Sequence, residues 1–145
     1  MTPPLESKNV VLVRGWDFTL ADYTAAWKTG TLLTAQIETS NVCELMCEYC
    51  FRDEVGAKTK KRLPGEITVE RTLQLIEEFS NLGVKAINIV GAGEPTIDPA
   101  FPLIMDKIAS KGIIPIVFTH GGNLTDEIMN ILTRTRASVI IKVNS

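Results

Sequence analysis

Four near-continuous apolar segments recur along this chain, and between them lie stretches whose apolar residues return every three or four positions. No other feature constrains the fold as tightly. A strand that is apolar on both faces must be covered on both, and parallel neighbours need connections long enough to hold a helix. The pattern therefore predicts parallel βα units, an α/β fold. The strands fall at TAQIETS (34–40), KAINIVG (85–91), GIIPIVFTH (112–120) and SVIIKVNS (138–145). Val69, Leu73, Ile76 and Phe79 share one face of a helix over 69–82, with Thr68 as N-cap and Gly83 after its end. A second helix is expected over 99–110, with Asp98 as cap, Pro99 at the first helical position and Gly112 as stop. A third, capped by Thr125, ends near Thr133. Ahead of the first strand, Leu20, Tyr23 (or Thr24) and Trp27 recur at helical spacing before Gly30, so a short amphipathic helix is expected within a leader of residues 1–33. An open layered sheet and a closed barrel produce the same alternation, and periodicity does not separate them. In both, chemistry collects at the C-terminal ends of the strands.

The unusual residues lie at those ends. CELMCEYC (43–50), directly after the first strand, holds all three cysteines. Thiolates bind iron and zinc strongly, and intervals of three and two residues let one loop wrap one compact centre. A closed structural site takes four ligands. Either a 4Fe-4S cluster sits on Cys43, Cys47 and Cys50 with one iron open to an outside ligand, or His120, the single histidine, completes a zinc site. An odd number of closely spaced cysteines makes a poor disulfide framework and suits a reducing compartment. The start, MTPPLESKNV, lacks the pattern of a signal peptide, and apolar runs such as IIPIVF are too short to span a bilayer, so a cytoplasmic location and no membrane partner are expected. A formal net charge of -2 supplies no basic field for a polyanion, so nucleic-acid binding is not indicated. The basic run KTKKR (58–62) reads as solvated loop surface. GAGEPT, after the second strand, approximates a dinucleotide fingerprint, but Thr96 stands where the third glycine belongs and Pro95 disturbs the helix start.

Taken in chain order, these elements resemble the radical S-adenosylmethionine superfamily, and its cofactor-biosynthesis and peptide-modifying branches in particular. CELMCEYC matches the signature C-x3-C-x-aromatic-C, with Tyr49 as the aromatic. The resemblance implies that Cys43, Cys47 and Cys50 hold a 4Fe-4S cluster and that the amine and carboxylate of S-adenosylmethionine complete the fourth iron. Tyr49 would lie beside the cluster or against the adenine. Gly91, Ala92, Gly93, Glu94 and Pro95 resemble the family's GGEP element, with Ala92 in place of the first paired glycine. By that resemblance the backbone and Glu94 bind the cofactor's amino group, which needs acceptors and a close backbone approach. FTHGGNL resembles the TNG turn, with His120 replacing Asn and Thr119 as a cofactor contact. KVNS resembles fourth-strand ends in the family, which implies that Lys142 and Asn144 reach the ribose or carboxylate; alternation puts both on one strand face. The resemblance covers residues 34–145 and implies part of a TIM-like (β/α)6 partial barrel with about four strands present, an incomplete core domain from the N-terminal portion of a longer enzyme. It further implies an electron donor such as flavodoxin or ferredoxin, and a peptide or biosynthetic small molecule as substrate. An iron-sulfur electron carrier that binds no S-adenosylmethionine, and a zinc-stabilised binding module, are the alternatives.

Overall fold

A computed structural model describes residues 13–48, 50 and 61–143. Among these, four parallel strands, β1 (Thr34–Glu38), β2 (Ala86–Val90), β3 (Ile114–Thr119) and β4 (Ser138–Ile141), form one sheet in the order β1-β2-β3-β4. Helix α1 (Leu20–Thr29) precedes the sheet, while α2 (Val69–Asn81), α3 (Phe101–Ser110) and α4 (Asp126–Arg134) connect successive strands. Doubly wound sheets reverse their strand order at a switch point. Here each strand adds to the same edge, which is the progression of a barrel wall, and the ambiguity left by periodicity is resolved towards the partial barrel.

The two sheet faces differ. Ile37, Ile87, Ile89 and Val117 point to the helices and join Ile76, Phe101, Ile104, Met105, Ile108, Ile128, Ile131 and Leu132 in the main core. On the other face Gln36, Asn88, Ile116 and Ser138 lie in register across the four strands. The segment before α1 crosses that face: Trp16 donates its indole N–H to Asn88 Oδ1 at 2.9 Å and stacks at 5.5 Å from Phe118, and Ser138 Oγ donates to the Arg14 carbonyl at 2.7 Å. Gly15 permits the close approach, since it has φ +94° and a Cβ there would lie 2.9 Å from Ile116 Cδ1.

Thr68 and Thr125 cap α2 and α4 as expected, their hydroxyls accepting from Arg71 N and Ile128 N. Three expectations change. Helix α3 starts at Phe101, behind a 3-10 turn over Pro95–Ile97, and its N-cap Ala100 makes no side-chain bond. Asp98 instead accepts from Ala100 N and pairs with Arg62, whose guanidinium is partly exposed. Arg62 consequently leaves the solvated basic run, of which residues 58–60 lie outside the described residues. The stripe Leu20 and Trp27 on α1 is 82% and 83% exposed, and Ala26 is the buried residue of that helix. Helical spacing finds a stripe without saying that anything covers it. Finally, β4 ends at Ile141, short of Lys142; Asn144 lies outside the described residues. No described helix is long and apolar enough to cross a membrane.

Candidate functional site

The C-terminal ends of β1, β2 and β3 meet at one residue, Glu94. Glu94 is 3% exposed and follows β2 by four residues. Its Oε1 accepts from Thr96 N at 3.1 Å, Thr96 Oγ1 at 2.7 Å and Thr119 Oγ1 at 2.7 Å, and its Oε2 accepts from His120 N at 2.9 Å. Glu94 N in turn donates to Val42 O at 2.7 Å. One buried side chain thus binds the glycine loop after β2 to the turn after β3, and its own amide binds that loop to the segment entering the cysteines.

Glycine is required in this loop for contact rather than for φ. A Cβ on Gly93 would lie 2.4 Å from Val42 O and 2.6 Å from Ser40 O, so only hydrogen fits beneath the strand exit. Gly91 faces Gly93 at ordinary to tight distances, and Ala92 occupies the loop's outer position, where it lines a pocket. Ala92 is therefore accommodated in place of glycine.

The cysteine loop starts directly above. Cys43 is buried, Cys47 and Cys50 are half-buried, and no disulfide joins them. Leu45 N approaches Cys43 Sγ at 3.5 Å, and Cys50 N donates to Cys47 O at 2.9 Å, closing a turn around the last two sulfurs. Among the described residues no three His, Cys, Asp or Glu side chains converge closely enough to hold a metal ion. The donors themselves suit a thiophilic cluster: three thiols on one loop, at the strand ends, beside a loop of small residues. Tyr49 lies outside the described residues.

His120 faces the cysteine loop with one ring nitrogen already engaged. Gly122 N donates to its Nδ1 at 2.9 Å, which requires the neutral ring to carry its proton on Nε2. Nε2 lies 3.0 Å from Glu44 Oε1 and 3.4 Å from Glu94 Oε2, in neither case with hydrogen-bond alignment. The imidazole sits between two carboxylates, one from the cysteine loop and one from the glycine loop. Lys142, exposed beyond β4, is tied through its backbone, its N donating to Thr119 O at 2.8 Å.

Sequence reasoning missed the clamp beneath the cysteine loop. Glu66 Oε1 accepts from both Asn41 N at 3.0 Å and Asn41 Nδ2 at 2.8 Å, two residues before Cys43. Arg62 donates to Ile67 O at 2.9 Å and to Asp98 Oδ2 at 2.7 Å. The stretch around residues 62–67 therefore braces the root of the cysteine loop against the chain beyond the glycine loop. Its residues carry no periodicity, and the one available signal was a lone acid after a Pro-Gly turn.

Comparison with known proteins agrees with this geometry. A family model described as the Radical SAM superfamily matches residues 37–145. The chain is 29% identical over 87 residues to an S-adenosylmethionine-dependent nucleotide dehydratase from Flammeovirga pacifica, covering 60% of this chain and 30% of that protein. It is 30% identical over 98 residues to a GTP 3',8-cyclase from Chlorobaculum tepidum, covering 67% and 28%. The crystal structure of Streptococcus suis SuiB bound to S-adenosylmethionine superposes with a TM-score of 0.62 over 84% of this chain and 26% of that one, at 17% identity, a likeness of fold. The chain thus spans under a third of the length of these curated relatives.

Proposed function

The chain belongs to the radical S-adenosylmethionine superfamily, a family of enzymes that use a 4Fe-4S cluster and S-adenosylmethionine, and from that premise we propose that Cys43, Cys47 and Cys50 hold the cluster while the loop Gly91–Ala92–Gly93 receives the methionyl end of the cofactor. A cluster held by Cys43, Cys47 and Cys50 would supply, with an electron from an outside donor, the reductive cleavage of S-adenosylmethionine that starts radical chemistry on a substrate.

The observation that carries the reading is the junction at Glu94, which brings the cysteine loop, the glycine loop and the Thr119–His120 turn to one strand-end surface. In this reading Glu94 and Thr119 are the post that fixes the cofactor-facing backbone, and Ala92 and Gly93 keep that surface low enough for a ligand to approach. Gathering three thiolates around iron tightens the cysteine loop, so cluster binding and loop ordering go together. Tyr49, Lys142 and Asn144 are proposed cofactor contacts on the strength of the motif alone. The curated relatives include a nucleotide dehydratase, a GTP cyclase and a mycofactocin maturase, and the substrate proposed is a peptide or a biosynthetic small molecule. An electron donor of flavodoxin or ferredoxin type and a reducing, cytosolic setting complete the proposal.

The test is anaerobic reconstitution with iron and sulfide, followed by electron paramagnetic resonance of the reduced protein with and without S-adenosylmethionine. A 4Fe-4S signal that changes with the cofactor, and is lost in Cys47→Ser, is the expected result. A cluster signal indifferent to the cofactor would instead describe an electron carrier, and absence of any cluster would refute the proposal.

A further inference from the structure

His120 stands where the resembling turn carries asparagine, and the structure holds its ring firmly in place. Its backbone N–H donates to Glu94 Oε2 at 2.9 Å, and its Nδ1 accepts from Gly122 N at 2.9 Å. Gly122 leaves the ring no slack, because a Cβ there would lie 2.9 Å from both Nδ1 and Cε1. The ring proton is therefore on Nε2. That N–H is buried and has no aligned acceptor among the described residues. A buried donor left without an acceptor is costly. Two carboxylates lie near it, and they differ. Glu94 Oε2, at 3.4 Å, belongs to a buried carboxylate already fixed by four donors. Glu44 Oε1, at 3.0 Å, belongs to a side chain 40% exposed on the cysteine loop, next to Cys43, with room to turn. Asparagine ends its amide near the place of Nδ1, so the reach to Nε2 is what histidine adds.

We propose that His120 is a positioning residue whose Nε2–H engages Glu44 and so fastens the start of the cysteine loop, at Cys43, to the junction at Glu94. Its purpose rests on the radical S-adenosylmethionine reading, since residues that orient metal ligands tune how well a site holds its metal. The contact itself belongs to the protein without iron.

The experiment is a double-mutant cycle of His120→Asn and Glu44→Ala, with His120→Gln as the rescue, because glutamine carries an amide N–H near the Nε2 position. The first readout is the rate at which N-ethylmaleimide alkylates Cys43 in the metal-free chain, resolved by peptide mass, with the unfolding free energy of each variant measured in urea. His120→Asn should speed alkylation by about fivefold or more, the scale of a partly exposed hydrogen bond to a charged group. That effect should vanish in the Glu44→Ala background, and His120→Gln should stay near wild type. The second readout is release of iron to a chelator from the reconstituted chain, which should quicken in the same variants. An effect of His120→Asn that is equal with and without Glu44 would overturn the proposal, as would an acceleration matched by the fall in global stability, which would make His120 an ordinary fold residue. Loss of bound iron in both His120→Asn and His120→Gln would also overturn it, by making the imidazole a ligand. If wild type takes up no cluster, the radical reading falls, while the alkylation cycle still decides the contact with Glu44.

Discussion

The carboxylate of Glu94, which the motif leads one to expect beside the cofactor, also holds the protein together through four donors. Thr119 links it to the next turn: its hydroxyl donates to Glu94 Oε1 at 2.7 Å and accepts from Gly121 N at 3.0 Å, with the residue wholly buried. Replacing Thr119 with Val keeps the shape and leaves the carboxylate and the amide each short of a partner. A hydrogen bond to a charged group contributes about 1.5–3 kcal/mol, so Thr119→Val should lower unfolding free energy by roughly that amount in urea titrations, and a change near zero would show that the junction is not a structural post. The type of Glu94 and its place after a strand were legible in the sequence. Its four donors were not, because they come from two loops more than twenty residues apart along the chain.

At the scale of elements, helices α2 and α3 are joined by Glu77, which pairs with both Lys107 and Lys111. The hydrogen bond from Lys107, then that from Lys111, holds the Glu77 carboxyl below its usual value. A carboxyl whose folded value is depressed stabilises the fold above its unfolded value, and that contribution is lost as pH falls through the folded one. Comparing wild type with Glu77→Gln in urea from neutral pH downward should give a constant difference until the ordinary glutamate range, then a shrinking one. A difference that grew on acidification would contradict the assignment. Element boundaries divided along the same line between local and distant causes. Thr68 and Thr125 were readable as caps because capping is decided within a few residues. Asp98 was not, because Arg62, 36 positions away, claims its carboxylate and the chain takes a 3-10 turn before α3 begins.

Across the whole molecule, the segment carrying Gly15 and Trp16 ties the non-helical face of the sheet together, reaching Asn88 on β2, Phe118 on β3 and Ser138 on β4. Gly15→Ala would force an L side chain into a positive-φ conformation and against Ile116. The backbone term alone is about 1–2 kcal/mol, so a drop of at least that size is expected in chemical denaturation, with an unchanged stability indicating that the strap adds nothing to the sheet. By itself the sequence determined the α/β class and the parallel strands, because alternation of apolar periods is a local property that burial on two faces imposes residue by residue. It also singled out Cys43, Cys47 and Cys50 as candidates, since their spacing is contained in a single loop. Only the tertiary structure decided the barrel-type strand order, the exposure of the α1 stripe, the engagement of Glu94 and the clamp of Glu66 on Asn41. Each of these depends on which distant segments meet, and no period along the chain encodes that.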